Sequence, residues 1–206
     1  MNERALSAFG WNESFAVAFE PYRHEGYSPA RVAIQHRTYY VLYSEHGELK
    51  GEVTGKMQYL PRGPHDPPAV GDWVVIHPRP EEKAATILEV LPRKSKFSRQ
   101  AAGEKNEEQI VASNVDVVFL VSGLDGNYNL RRLERYLVLA KESGARPVIV
   151  LNKADVCADL EKKKEEVQAI AGGVPILAMS AVQEGEVAAL YSFLKPRKTG
   201  ALLGSA

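Results

Sequence analysis

The spacing of hydrophobic and polar positions along the 206 residues changes near residue 110. Between about residues 30 and 92, apolar side chains alternate with polar ones, and Gly, Pro and Asp interrupt the alternation. Short runs rich in Val, Tyr, Ile and Thr predict antiparallel strands. About five such strands favour a small closed barrel of the oligonucleotide/oligosaccharide-binding (OB) type. A small barrel of the SH3 type is the alternative that this pattern leaves open.

After residue 110 the apolar positions form continuous runs, which are typical of strands buried on both faces. The four runs are NVDVVFLVSGLD, RPVIVLNKAD, VPILAMSA and GALLGSA. Segments with helical period lie between them, and they read NLRRLERYLVLAKESG, DLEKKKEEVQAIAG and GEVAALYSFL. Asn129 is the expected N-cap of the first helix, and Gly144 is its expected end. Strands that alternate with helices indicate a parallel α/β sheet.

These patterns divide the chain into four parts. They are an N-terminal arm (1–28), an OB-type barrel (29–98), a linker (99–109) and a partial parallel α/β domain (110–206). The arm has no clear period, and a short helix and a segment packed on the barrel fit it equally. The expected fold class is α+β with two domains, an antiparallel OB-type β-barrel followed by part of a parallel α/β domain.

Composition and charge argue against a strongly basic, a disulfide-rich and a membrane-spanning protein. Lys+Arg and Asp+Glu both number 26, so any nucleic-acid contact must come from a local basic patch. The single cysteine, Cys157, rules out a disulfide framework within the chain and is typical of the cytoplasm. The histidines lack metal-ligand spacing, so no metal site is expected. Without a membrane-length apolar run or a signal peptide, we expect a cytoplasmic protein with no membrane partner.

A polar stretch, Asn152-Lys153-Ala154-Asp155, follows the second buried run. Open α/β sheets bind ligands outside the carboxyl ends of their strands. A carboxylate there can accept two parallel hydrogen bonds from guanine, and adenine lacks that pair of donors. The asparagine can bond the base edge, and the lysine stem can cover the base face. A plain strand-to-helix turn, with Asp155 capping the next helix, is the alternative.

Two further stretches follow the next strands. Ser180-Ala181 offers a small residue whose backbone N–H can approach the guanine O6, although this dipeptide is common in proteins. Gly204-Ser205 has the opening of a phosphate-binding loop, which needs glycines, a lysine and a Ser or Thr for magnesium. Only the first glycine of such a loop is present, so a plain strand with a C-terminal tail is the better explanation of this stretch taken alone.

A basic run precedes the linker. Arg93, Lys94, Lys96 and Arg99 surround Phe97 with no acidic residue between them. Basic residues beside an aromatic ring and an OB-type barrel suit contact with an RNA backbone and stacking on its bases. A solvated interdomain linker explains the same residues equally well.

Taken in order, these stretches resemble the bacterial ribosome small-subunit-dependent GTPase A family, whose members are circularly permuted GTPases. The resemblance covers the chain from about residue 70 onward and is looser before it. It is carried by VGDWV, ATILEVLPRKSKFSR, VASNVDVVFLV, NLRRLERYL, ESGARPVIVLNKAD, VPILAMSA and TGALLGSA. A chain of this family enters the P-loop GTPase fold midway, so the guanine-binding strands come before the phosphate loop.

The resemblance implies a GTP-binding, GTP-hydrolysing factor of late small-subunit maturation that contacts ribosomal RNA through its barrel. The residues that it implies are guanine contacts at Asn152, Lys153, Asp155, Ser180 and Ala181, and the start of the phosphate loop at Gly204 and Ser205. GTP or GDP is the implied ligand. Mg²⁺ and Zn²⁺ are expected only in a full-length member of the family.

The chain departs from the family pattern at Ala206, where the family's loop continues to a Gly-Lys-Ser. No catalytic residue can therefore be assigned, and a truncation within the phosphate loop is the simplest explanation. Without the loop lysine and the switch regions, we expect no hydrolysis by these residues alone. A non-catalytic module that binds RNA or the ribosome is the alternative function.

Overall fold

The chain forms two compact units, Met1–Asn114 and Val115–Ala206. The computed structural model describes residues 3–23, 26–55, 67–100 and 108–205. No helix in these four ranges is long and apolar enough to cross a membrane.

Five strands of the first unit close into a barrel. They are β1 (Ser28–Gln35), β2 (Tyr40–Ser44), β3 (Gly47–Val53), β4 (Trp73–Arg79) and β5 (Ala84–Val90). Their order is β1-β2-β3-β5-β4, and β1 pairs with β4 to complete the circle. β3 and β5 run parallel, and the other neighbours are antiparallel. The small closed barrel of OB type is therefore confirmed.

The barrel interior follows from the alternation of the sequence, because successive side chains of a strand point to opposite faces. Its buried residues are Ala30, Val32, Tyr40, Leu42, Leu49, Val74, Ile76, Ala85 and Ile87. Gly51 of β3 lies against this interior, since a Cβ added there would be 2.5 Å from Leu42 Cδ1. The Leu42 side chain thus occupies the space that a side chain at position 51 would need.

Two short helices precede the barrel, α1 (Glu3–Ser7) and α2 (Glu13–Phe19). Asn12 caps α2 by accepting a hydrogen bond from the Ser14 N–H at 3.1 Å. Aromatic side chains before and within α2 are buried against Trp73 of β4, namely Trp11, Phe15 and Phe19. The N-terminal segment is thus both helical and packed on the barrel.

A two-stranded antiparallel hairpin, β6 (Lys96–Gln100) and β7 (Glu108–Ser113), follows β5 in the same unit. The fully buried Asp72 carboxylate links this hairpin to the barrel. It accepts hydrogen bonds from Arg93 Nε at 2.8 Å, from Arg93 Nη2 at 2.6 Å and from the Ser113 hydroxyl. Gly71, with φ +94°, allows the approach, because a Cβ there would lie 2.1 Å from the Ser113 carbonyl oxygen.

The second unit contains a parallel four-stranded sheet in the order β10-β9-β8-β11. Its strands are β8 (Val117–Gly123), β9 (Arg146–Asn152), β10 (Ile176–Ala178) and β11 (Gly200–Ser205). Two helices, α3 (Leu130–Ser143) and α4 (Leu160–Ala171), connect them. The parallel α/β prediction is confirmed, since the continuous apolar runs form the sheet.

The ends of α3 agree with the sequence. Asn129 Oδ1 accepts the Arg132 N–H at 2.9 Å, and Gly144 has φ +82° at the C-cap. The third predicted helix, GEVAALYSFL, is helical over Glu186–Ser192, with 3₁₀ rather than α-helical turns. Residues three apart lie on the same side of a 3₁₀ turn, so Leu190 and Phe193 both pack on the sheet.

Candidate functional site

The polar stretch after β9 lies at the carboxyl edge of the parallel sheet. Asn152 is the last residue of β9, and Lys153 follows it with φ +65°. This left-handed backbone is uncommon for a residue with a side chain. Ala154–Val156 then forms a 3₁₀ turn that carries Asp155. The abrupt change of direction brings four successive polar or small residues to one edge of the sheet.

Hydrogen bonds tie the loops after β8, β9 and β10 together. The Leu124 N–H donates to the Asn152 carbonyl at 2.8 Å, and the Ala154 N–H donates to the Met179 carbonyl at 3.2 Å. The Asn152 side-chain oxygen accepts the Ala181 N–H at 2.9 Å. The stretches predicted to act together, after β9 and after β10, are therefore in direct contact.

Asp155 is exposed, and no donor among the described residues contacts its carboxylate. It does not cap α4, because that helix begins at Leu160 with Asp159 at the N-cap position. The alternative interpretation of Asp155 as a helix cap is thus wrong. An exposed carboxylate without a partner is able to accept hydrogen bonds from a ligand.

Lys153 is anchored by a residue that sequence reasoning missed. Its ammonium lies 2.6 Å from the Asp125 carboxylate, which also accepts the Asn127 N–H at 3.0 Å. The hydrogen bond from Lys153, followed by the one from Asn127, holds the pKa of Asp125 below its usual value. The signal available in the sequence was an acidic residue directly after the end of a buried strand, in SGLDGN.

Ser180 and Ala181 have different surroundings. Ser180 is buried, and its N–H donates to the Glu186 carboxylate. Ala181 is exposed, and its N–H is bound by Asn152. Two successive N–H groups of the loop after β10 are therefore hydrogen-bonded, one to Glu186 and the other to Asn152.

Gly204 lies in β11 opposite Val121 of β8. Its φ is +154°, and an added Cβ would be 2.0 Å from the Val121 carbonyl oxygen. Only glycine fits this close contact between the two strands. Ser205 is the last residue of β11, and its side chain lies outside the described part of the chain.

The basic run of the first unit is partly engaged by the fold. Arg93 forms an ion pair with the buried Asp72, and 14% of its side chain is exposed. Lys94 lies with Nζ 4.6 Å from the centre of the Phe15 ring, and Lys96 is exposed on β6. The side chain of Arg99 is not among those that the structure describes. The hypothesis of RNA contact by this run stays a prediction.

A second basic and aromatic group, absent from the sequence-based expectations, is formed by two rings between β1 and β2 and a lysine of β3. The His36 and Tyr39 rings stack with centroids 4.3 Å apart, and Lys50 Nζ lies 5.0 Å from the Tyr39 centroid. Its sequence signal is the run HRTYY, which mixes basic and aromatic residues. Aromatic faces beside cationic groups are suited to stacking with nucleic-acid bases.

Within the described ranges, no cluster of three or more His, Cys, Asp or Glu residues is arranged to hold a metal ion.

Comparison with known sequences points to one family. The sequence model of the RsgA GTPase family matches residues 90–206. A protein of Opitutus terrae named small ribosomal subunit biogenesis GTPase RsgA is 44% identical over 97% of this chain and 57% of its own length. A protein of the same name from Methanosarcina acetivorans is 36% identical over 95% of this chain and 52% of its own. The chain thus spans a little over half the length of these relatives.

Solved structures agree with the fold. YjeQ from Thermotoga maritima superposes with a TM-score of 0.65 and 25% identity, over 87% of this chain and 61% of that one. YloQ, described as a circularly permuted GTPase, gives a TM-score of 0.61 at 19% identity, over 89% and 62%. The second likeness bears on the fold alone. Both structures support the fold of a closed barrel followed by a parallel α/β sheet.

Proposed function

The chain belongs to the RsgA GTPase family, and from this premise we propose that its second unit binds guanine nucleotides at the loops after β9 and β10. The observation that carries the proposal is the exposed Asp155 carboxylate, which has no donor among the described residues. It would accept the N1–H and the N2 amino group of guanine. Adenine would leave this carboxylate without a partner, which disfavours its binding.

The surrounding groups would complete the recognition of the base. The Ala181 N–H, which Asn152 occupies here, would donate to the guanine O6. The methylene stem of Lys153 would cover one face of the ring, and Ser180 would hold the loop through its bond to Glu186. These roles follow from the positions of the residues at one edge of the sheet.

Hydrolysis of GTP is proposed as the activity of the complete family protein, since the relatives are named GTPases. The phosphate loop would start at Gly204 and Ser205, and no lysine follows them in the 206 residues. Phosphoryl transfer depends on cations that stabilise the charge on the transferring group. We therefore expect a polypeptide of these residues to bind guanine without turning over GTP, and we assign no residue to Mg²⁺ or Zn²⁺.

The proposal is tested by calorimetric titration with GDP, guanosine and ADP. GDP and guanosine should bind, and ADP should not. Asp155→Ala should weaken GDP binding about 100-fold or more, because two hydrogen bonds to a charged group are lost. Asp159→Ala removes the same charge four residues away and serves as the matched control, with unchanged binding. Equal binding of ADP and GDP would contradict guanine recognition, and GTP turnover above background would contradict the expected lack of hydrolysis.

As a second function, we propose that the first unit contacts ribosomal RNA of the small subunit, which would place the protein in the cytoplasm. The relatives' name refers to small-subunit biogenesis, and OB-type barrels bind oligonucleotides. The stacked His36 and Tyr39 rings with Lys50 beside them favour this function. Lys94, Lys96 and Arg99 would extend the contact along the backbone of the RNA.

The salt dependence of RNA affinity tests this second proposal. Lys94→Ala combined with Lys96→Ala should weaken binding and lower the slope of log K against log salt by about 1.4, at about 0.7 per phosphate contact in single-stranded RNA. The control combines Lys162→Ala with Lys164→Ala, which removes two charges from α4. Arg93 is left in place, since its removal would leave Asp72 buried without its partner. An unchanged slope would exclude both lysines from the contact.

A further inference from the structure

The side chain of Lys153 is held at both ends. Its backbone has a left-handed conformation, with φ +65°, and the ammonium group at the other end lies 2.6 Å from the Asp125 carboxylate. Between these ends the methylene stem crosses the end of β8. A Cβ added to Gly123 would be 3.7 Å from Lys153 Cδ and 3.2 Å from Asp125 Oδ1. A side chain at this position would crowd the Asp125 carboxylate and would contact the lysine stem.

Asp125 is itself fixed by the loop that follows β8. Its carboxylate accepts the Asn127 N–H at 3.0 Å, and the neighbouring Leu124 N–H donates to the Asn152 carbonyl at 2.8 Å. The carboxylate thus sits on a loop that is bonded to the end of β9, directly before the residue that it anchors. This backbone bond holds the main chain before Asp125 close to the main chain before Lys153.

We propose that Asp125 is a positioning residue for guanine binding, which holds the Lys153 ammonium so that the lysine stem is fixed before a base packs against it. The proposal rests on the guanine-binding function proposed above. A free lysine side chain loses rotamer entropy when a ring covers it, and an anchored side chain has already lost it. Asp125 would therefore raise affinity for guanine without contacting the base.

The expected effect is small, because 38% of the Lys153 and 33% of the Asp125 side chain are exposed. Ion pairs with this exposure contribute about two- to fivefold to an equilibrium constant. Asp125→Asn keeps an oxygen that can accept the Asn127 N–H and removes the charge that binds the lysine. The variant therefore separates the anchoring of Lys153 from the shape of the loop.

The experiment is an NMR titration of the chain with guanosine, which has no phosphate charge that could respond to the altered net charge. Asp125→Asn should raise the Kd about two- to fivefold. Glu161→Gln is the matched control, because Glu161 also pairs with a lysine, Lys164, at 2.8 Å but lies on α4. Its Kd should equal that of the unmodified chain. Lys153→Met retains the stem and removes the ammonium, so adding Asp125→Asn to Lys153→Met should have no further effect.

Three results would overturn the proposal. An unchanged Kd in Asp125→Asn would show that the ion pair does not assist binding. A loss that persists in the Lys153→Met background would show that Asp125 acts through the loop rather than through the lysine. In both cases the unmodified chain still binds guanosine and Asp155→Ala still weakens that binding strongly, so the proposed guanine site stands. Absence of guanosine binding by the unmodified chain would overturn both proposals.

Discussion

Two aspartates at the carboxyl edge of the second unit have opposite surroundings. The Asp125 carboxylate accepts hydrogen bonds from Lys153 and from the Asn127 N–H. The Asp155 carboxylate has no donor among the described residues and is exposed. A carboxylate whose bonds are made within the protein can hold other groups in place, whereas one without them is available to a ligand. The same residue type therefore supports two different roles at one edge of the sheet.

The pKa of Asp125 is the residue-scale prediction. Because the hydrogen bond from Lys153 is the main cause of its lowered pKa, Lys153→Met should raise that pKa toward its usual value. The lowered pKa means that the carboxylate's stabilising contribution is present above the usual Asp pKa and is lost as the pH falls through the lowered one. Carboxyl carbon chemical shifts followed against pH measure the change.

Lys164→Met is the matched control for this titration, since Lys164 pairs with Glu161 instead. It should leave the Asp125 titration where it is. An Asp125 pKa that stays equally low in Lys153→Met would show that the backbone N–H of Asn127 suffices to lower it.

Asn152, Lys153, Asp155 and the Ser180-Ala181 pair could be singled out from the sequence because each follows a continuous apolar run. The end of a buried strand can be recognised in the sequence, because the continuous apolar run stops there. The link between Asp125 and Lys153 was not recognisable, because 28 residues separate them and only the parallel pairing of β8 with β9 brings them together. Likewise, the bond between Asn152 and Ala181 depends on β10 lying beside β9.

At the scale of elements, the helices and strands that could be predicted are those whose stabilising features are local in the sequence. The strands of the sheet and α3 carry their own signals, as continuous apolar runs and caps at Asn129 and Gly144. The N-terminal helices carry no regular period, because they are held by a few aromatic side chains that pack on Trp73. The β6–β7 hairpin is linked to the barrel through Asp72, which lies more than twenty residues before it. No local sequence pattern predicts that contact.

Gly71 gives the prediction at this scale. Gly71→Ala should destabilise the first unit by the cost of a left-handed alanine, about 1–2 kcal/mol, plus about 1–3 kcal/mol for the collision with the Ser113 carbonyl. Gly47→Ala is the matched control, since Gly47 has φ +86° but no atom within 4 Å of an added Cβ. Urea unfolding of both variants measures the difference. Equal losses of stability would show that the hairpin can move away from the added methyl group without a loss of free energy.

At the scale of the whole molecule, equal numbers of acidic and basic residues mean that neither proposed ligand is attracted by net charge. Each binding function must come from local groups, and these groups lie in separate units. The base-binding loops belong to Val115–Ala206, whereas the His36 and Tyr39 stack and the basic run belong to Met1–Asn114. The two functions can therefore be altered one at a time.

This separation gives the whole-molecule prediction. Asp155→Ala should weaken GDP binding about 100-fold or more and leave RNA affinity unchanged, because it alters no residue of the first unit. Lys94→Ala with Lys96→Ala should weaken RNA binding and leave the Kd for GDP unchanged. Calorimetry with GDP and a filter-binding assay with RNA, run on both variants, test whether each variant loses affinity for one ligand only. Loss of both activities in either variant would mean that the two units do not function independently.

The hydrogen bond between the Asn152 amide oxygen and the Ala181 N–H has a consequence for selectivity. In the proposed guanine site, the Asn152 oxygen would occupy the position of the guanine carbonyl as the acceptor of this N–H. A base that binds as proposed would compete with this internal acceptor and would gain only the difference between the two hydrogen bonds. Purines that lack an oxygen at position 6, such as 2-aminopurine, have nothing to exchange for it. The internal hydrogen bond would therefore favour purines with an oxygen at position 6 over purines without one.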